Sequence, residues 1–150
     1  MIPTIDLGRP PGVVAVEIDD ACRSVGFFQV VGHRVDAGIE ERAWQAASDF
    51  FDLPLADKLA LAIPPGDAYG YGPYQAERLA ASLGVDTPPD LKETFSIGPF
   101  VPSPVAAGDE AARFVFSPNR WPAAMPTMES TMRAYYEALA MLVERVMSLM

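Results

Sequence analysis

The clearest pattern in the chain is its last apolar seam. From Met128, apolar side chains recur at Met132, Tyr135, Leu139, Leu142, Val146 and Leu149. Alternating steps of four and three place them along one narrow face, which predicts an amphipathic helix. No Gly, Asn or Pro follows in the sequence to mark its stop. Near the start, Val14, Ile18, Ala21, Cys22 and Val25 share a second helical face and predict a helix over 13–25. On this reading Cys22 is a small buried hydrophobe. Pro10 and Pro11 suit the first turn, where a missing N–H costs nothing. Gly26 suits the end, where a left-handed residue is needed.

Residues 27–31, Phe-Phe-Gln-Val-Val, are aromatic and β-branched and predict a strand covered on both faces. Asp36 is placed to cap a second helix, with Glu40 and Glu41 at its positive end. Its buried stripe is Ile39, Ala43, Ala47, Phe50 and Phe51. Asp52-Leu53-Pro54 ends that helix and starts a short one through Lys58. Residues 62–90 read mostly as loop, 92–97 (Lys-Glu-Thr-Phe-Ser-Ile) as a strand, and 101–125 as irregular. No internal repeat is visible. The class is mixed α+β, divided at 1–122 and 123–150. Two strand candidates cannot bury a core between them, so further structure is expected from missing chain or from a partner.

Composition narrows the function. Half of the 150 residues are hydrophobic, which suits one folded domain. A net charge of −9 repels phosphate backbones and anionic lipid surfaces, so neither nucleic acid nor membrane is an expected partner. The opening residues lack a basic segment followed by an apolar one. The single cysteine cannot form an internal disulfide. A cytoplasmic setting is expected. Asp19-Asp20 and Glu40-Glu41 are adjacent on helices, hence splayed, and read as solubility charges. Lys92-Glu93 reads as a solvated pair. No Gly-rich phosphate loop, Gly-x-Ser-x-Gly elbow or Cys-x-x-Cys pair supports a complete small enzyme of another kind.

Five stretches, in order, carry a resemblance. They are IPTIDL (Ile2 to Leu7); Ala21-Cys22 followed by GFFQVVGH (Gly26 to His33); FFDLPLADK (Phe50 to Lys58); GYGP (Gly70 to Pro73) with LKETFSIG (Leu91 to Gly98); and NRWP (Asn119 to Pro122) before a Tyr-Tyr helix. Together they resemble the N-terminal region of the non-haem iron(II), 2-oxoglutarate-dependent oxygenases, the group that includes isopenicillin N synthase. Where that family usually reads Asn-His-Gly, this chain has Gly32-His33-Arg34.

The resemblance implies the helical and edge-strand part of a double-stranded β-helix, or jelly roll, with the barrel core largely absent from these residues. Ile2 to Leu7 would be its opening strand. The complete enzyme would use iron(II), 2-oxoglutarate and dioxygen on a small-molecule substrate. Its iron needs two histidines and a carboxylate with open faces. The chain has one histidine, so the triad and the Arg-x-Ser that grips 2-oxoglutarate are expected downstream of Met150. The resemblance places His33 outside the triad, as a structural residue fastening a strand end through its ring nitrogens. Tyr71 and Phe95 are the substrate-pocket candidates. The competing readings are a turn packed by the Tyr71 ring and ordinary core packing for Phe95. The Met and Tyr stripe of the last helix is core or interface. The alternative function is a non-enzymatic interaction module that self-associates through an uncovered Met128–Leu149 helix.

Overall fold

The computed structural model describes residues 1–76, 88–101 and 108–150. The described chain forms two compact units, residues 1–44 with 130–150, and residues 45–129.

The first unit begins with β1 (Thr4–Asp6), α1 (Pro11–Ser24) and β2 (Gln29–Val31). β1 and β2 pair in parallel, with Ile5 opposite Val30. Parallel neighbours need a crossover, and α1 supplies it. Pro10 and Pro11 open α1, and Gly26 follows its end at φ +90°. The core is Ile5, Leu7, Val14, Ile18 and Ala21, with Phe28 and Val30 packed against it.

Two expectations are corrected in this unit. Cys22 and Val25 of the expected face are exposed, not buried. The buried stripe of α1 is Val14, Ile18 and Ala21, and the next position turns about 100° away. β2 is covered on one side only: Phe27 and Val31 are exposed, while Phe28 and Val30 face the core.

α2 (Ala37–Phe51) starts as expected, with Asp36 Oδ1 accepting from the Ile39 N–H at 3.1 Å. α5 (Met128–Met147) carries the predicted seam. The seam is not left open over its C-terminal half, where Leu142, Val146 and Leu149 pack on the Ile5–Ala21 core. Arg145 secures this end by donating from its guanidinium to the Leu7 carbonyl. The apolar side chains that this end of α5 does expose are Met141, Val143 and Met147.

Backbone shape accounts for the glycine of the Gly-His-Arg departure and opposes its arginine. Gly32 has φ +63° and Arg34 φ +64°. A Cβ at Gly32 would overlap Asp6 Oδ1, which accepts from the Gly8 N–H at 2.8 Å. Gly32→Ala therefore combines a left-handed penalty with loss of that turn bond. We expect it to destabilise the chain by about 2–3 kcal/mol in urea titration.

The second unit contains the end of α2, α3 (Leu55–Leu59), β3 (Gly70–Gly72), β4 (Thr94–Ser96) and α4 (Glu110–Val115). β3 and β4 are antiparallel, with Tyr71 opposite Phe95. The other edge of β3 bonds the 61–63 segment: the Tyr71 N–H donates to the Leu61 carbonyl at 2.8 Å, and the Ile63 N–H to the Tyr71 carbonyl at 3.1 Å. β3 lies within the predicted loop 62–90 and α4 within the irregular 101–125, so both readings are corrected there. The parts of those two readings at 77–87 and 102–107 lie outside the described residues. No helix among the described residues is long and apolar enough to cross a membrane.

Candidate functional site

The second unit gathers its distinctive sequence stretches around one polar cluster. Lys58 comes from the end of FFDLPLADK, Tyr71 from GYGP and Glu93 from LKETFSIG. Lys58 is buried, and its Nζ donates to Glu93 Oε2 at 2.8 Å and to the Phe51 carbonyl at 2.8 Å. The Tyr71 hydroxyl donates to the same Glu93 oxygen at 2.6 Å. Lys58 Nζ also stands 5.7 Å from the Tyr71 ring centroid, where the ring face favours a cation.

One carboxylate thus accepts from an ammonium and a phenol, and the electrostatics follow. Hydrogen bonds from Lys58 and then Tyr71 hold the Glu93 carboxyl below the usual carboxylate range, against the opposing effect of desolvation. Burial, reinforced by the hydrogen bond to Glu93, pushes the Tyr71 phenol up to about 12. Glu93 is therefore not half of a solvated pair with Lys92. Lys92 stands 3.4 Å from Asp90 instead. Glu93 lies just before β4 and reaches Lys58 and Tyr71.

The aromatic floor lies beside this cluster. Phe50 is fully buried, and its ring centroid is 4.3 Å from Phe95 and 6.0 Å from Tyr71. Phe95 is half-buried and 6.1 Å from Trp121, which stacks on Phe100 at 5.9 Å. NRWP closes the arrangement. Asn119 accepts from the Gly98 N–H at 2.8 Å and donates to the Gly98 carbonyl at 3.2 Å. Arg120 pairs with Asp67 at 3.1 Å. Gly98 has no room for a side chain, because a Cβ there would overlap the Tyr69 ring.

Tyr71 and Phe95 are thus neighbours across a strand pair. Tyr71 is only 1% exposed, and Phe95 lies nearer the surface. Sequence reasoning missed Lys58 and Glu93. The available signal was a lysine closing the distinctive Phe50 to Lys58 stretch and a glutamate inside the predicted strand 92–97.

His33 belongs to the first unit. Its Nδ1 accepts the Val35 N–H at 3.1 Å, and its Nε2 stands 4.0 Å from Glu40. An iron triad needs two imidazoles and a carboxylate. The sequence holds one histidine, the Nδ1 of that histidine is engaged by backbone, and no three His, Cys, Asp or Glu side chains converge among the described residues. The residues present do not fit an iron site by themselves.

Comparison with known proteins places this arrangement. Residues 2–124 match the family described as "non-haem dioxygenase in morphine synthesis N-terminal". The chain belongs to this family. It is 28% identical over 138 residues to the 2-oxoglutarate-dependent dioxygenase tropC of Talaromyces stipitatus, covering 86% of this chain and 41% of that protein. It is 32% identical to the 2-oxoglutarate-dependent dioxygenase caaD of Aspergillus niger, covering 99% of this chain and 47% of that protein. The crystal structure of a 2OG-Fe(II) oxygenase family protein from Caulobacter crescentus superposes with a TM-score of 0.76 at 24% identity, covering 99% of this chain and 47% of that one. That likeness establishes the fold. The chain spans less than half the length of these relatives.

Proposed function

We propose that this chain is the N-terminal portion of an iron(II)- and 2-oxoglutarate-dependent oxidoreductase that acts on a small molecule with dioxygen. The observation that carries this is the family match over residues 2–124, three of whose distinctive stretches, those with Lys58, Tyr71 and Glu93, meet in one cluster. Phe95 forms a wall of the substrate pocket, and Tyr71 holds that wall through the β3–β4 pairing. His33 is structural and fastens the end of β2. The barrel core and the iron ligands come from outside these 150 residues, because one histidine cannot supply two. On its own the chain is inactive.

The test is 2-oxoglutarate turnover. The isolated chain, supplied with ferrous iron, 2-oxoglutarate, ascorbate and air, should form no succinate above buffer. Residues 2–124 substituted for their counterpart in the Aspergillus niger relative should retain turnover. Phe95→Ala in that chimera should raise KM for the organic substrate more than it lowers kcat. Succinate formation by the isolated chain, or stoichiometric ferrous binding abolished by His33→Ala, would overturn the reading. A second reading, an interaction module, rests on the exposed Met141, Val143 and Met147 of α5. Concentration-dependent sedimentation together with an inactive chimera would favour it.

A further inference from the structure

The first unit holds a cleft of about 310 Å³ between the His33–Asp36 turn, the start of α2 and residues 138–145 of α5. Its floor is apolar, built from Val35, Ile39, Ala138, Met141 and Leu142. Its polar lining residues are His33, Arg34, Asp36 and Arg145, two arginines against one aspartate. Asp36 is engaged in capping α2 through Ile39, and Arg145 donates to the Leu7 carbonyl.

Arg34 is different. It makes no hydrogen bond or ion pair with any described residue. It also holds φ +64°, a left-handed backbone that glycine would adopt at lower cost. An exposed arginine kept in a glycine conformation, lining an apolar cleft and without a carboxylate of its own, is available to an incoming carboxylate. In a chain of net charge −9, that lack of a partner is not for want of acidic residues.

We infer that this cleft binds a small carboxylate with an apolar body. The carboxylate pairs with the planar fork of Arg34, which suits two parallel N–H···O bonds. The body lies over Ile39, Met141 and Leu142, and the cleft volume suits a small ligand rather than a peptide. Repulsion from the acidic surface does not prevent this, since salt at about 0.15 M screens charges beyond about 8 Å. The inference does not depend on the oxygenase reading.

The experiment is an NMR titration of the full 150-residue chain with three probes: octanoate, octan-1-ol and acetate. Octanoate should give saturable shifts confined to the amides of Arg34, Val35 and Ile39 and the side chains of Met141 and Leu142. Octan-1-ol keeps the apolar body without the charge, and acetate the charge without the body. Each should bind more weakly. Arg34→Gly relieves the backbone and removes the fork, so it should fold at least as well as the parent and lose about tenfold in octanoate affinity. Met141→Glu alters an exposed side chain, 66% accessible, and sets a carboxylate against the probe. It should weaken binding similarly and decides the matter if Arg34→Gly does not fold. Absence of saturable octanoate binding, equal binding of octan-1-ol, or unchanged affinity in both variants would overturn the inference.

Discussion

Phe50→Ala should lower the stability of the second unit by about 3–5 kcal/mol, the range for truncating a fully buried aromatic ring. Phe50 is 0% exposed, and its ring meets Phe51 at 5.3 Å, Phe95 at 4.3 Å and Tyr71 at 6.0 Å. Those contacts come from three separate stretches of chain, so no single neighbour can move to fill the void. The two tryptophans allow the loss to be read locally. Trp121 lies in the same aromatic cluster, while Trp44 is 76% exposed. In a Trp44→Phe background, urea titration of Trp121 fluorescence reports the second unit alone. Phe50→Leu should recover roughly half of the loss, because it restores volume without the edge contacts. A Phe50→Ala midpoint within error of the parent would mean that the cluster does not hold this unit together.

How far the sequence revealed this arrangement depends on the range of each interaction. α1, α2 and α5 were legible because periodicity and caps are local. The Asp36 cap, the Gly26 terminus and the stripe from Ile39 to Phe51 are present in the structure. β3 was not legible, because Gly-Tyr-Gly offers no alternation and its partner β4 lies more than twenty residues on. α4 spans only 6 residues, too short for a period. Cys22 was misplaced by one step around a helix that buries only Val14, Ile18 and Ala21. The cluster itself was half visible. Tyr71 and Phe95 stood out as aromatics near glycine and in a strand. Glu93 read as half of a solvated pair and Lys58 only as the end of a short helix, because nothing local says that a lysine will bury its ammonium against a carboxylate 35 residues away. The family resemblance marked all of these stretches without showing that they meet.

The same cluster gives the second large effect, and it has a sign at each end of the pH scale. Lys58→Met keeps the bulk of the stem but leaves the Phe51 carbonyl and one Glu93 oxygen short of a donor. Breaking a buried pair from one side commonly costs about 3–5 kcal/mol, and the partial exposure of Glu93, at 31%, reduces this to about 2–3 kcal/mol. Near neutral pH, Tyr71→Phe should cost less, about 1 kcal/mol, since it removes one neutral donor and keeps the ring. The Glu93 carboxyl titrates lower in the folded chain than when unfolded, so its contribution is present above the ordinary carboxylate range and fades as pH falls through the folded value. The Tyr71 phenol titrates higher when folded, near 12, so its contribution is present below the ordinary phenol range and fades as pH rises toward that value. The trio should therefore stabilise a plateau between about pH 5 and pH 10, with losses on both sides. Other groups also titrate, so the measurement is a difference. Urea midpoints of the parent, Glu93→Gln and Tyr71→Phe are compared across pH in the Trp44→Phe background. The acid-side decline should be shallower in Glu93→Gln, and the alkaline-side decline shallower in Tyr71→Phe. Parallel curves for the parent and both variants would show that these three side chains do not share a proton-dependent bond, and the Lys58–Glu93–Tyr71 contact would lose its place as the fastening of β3 to β4.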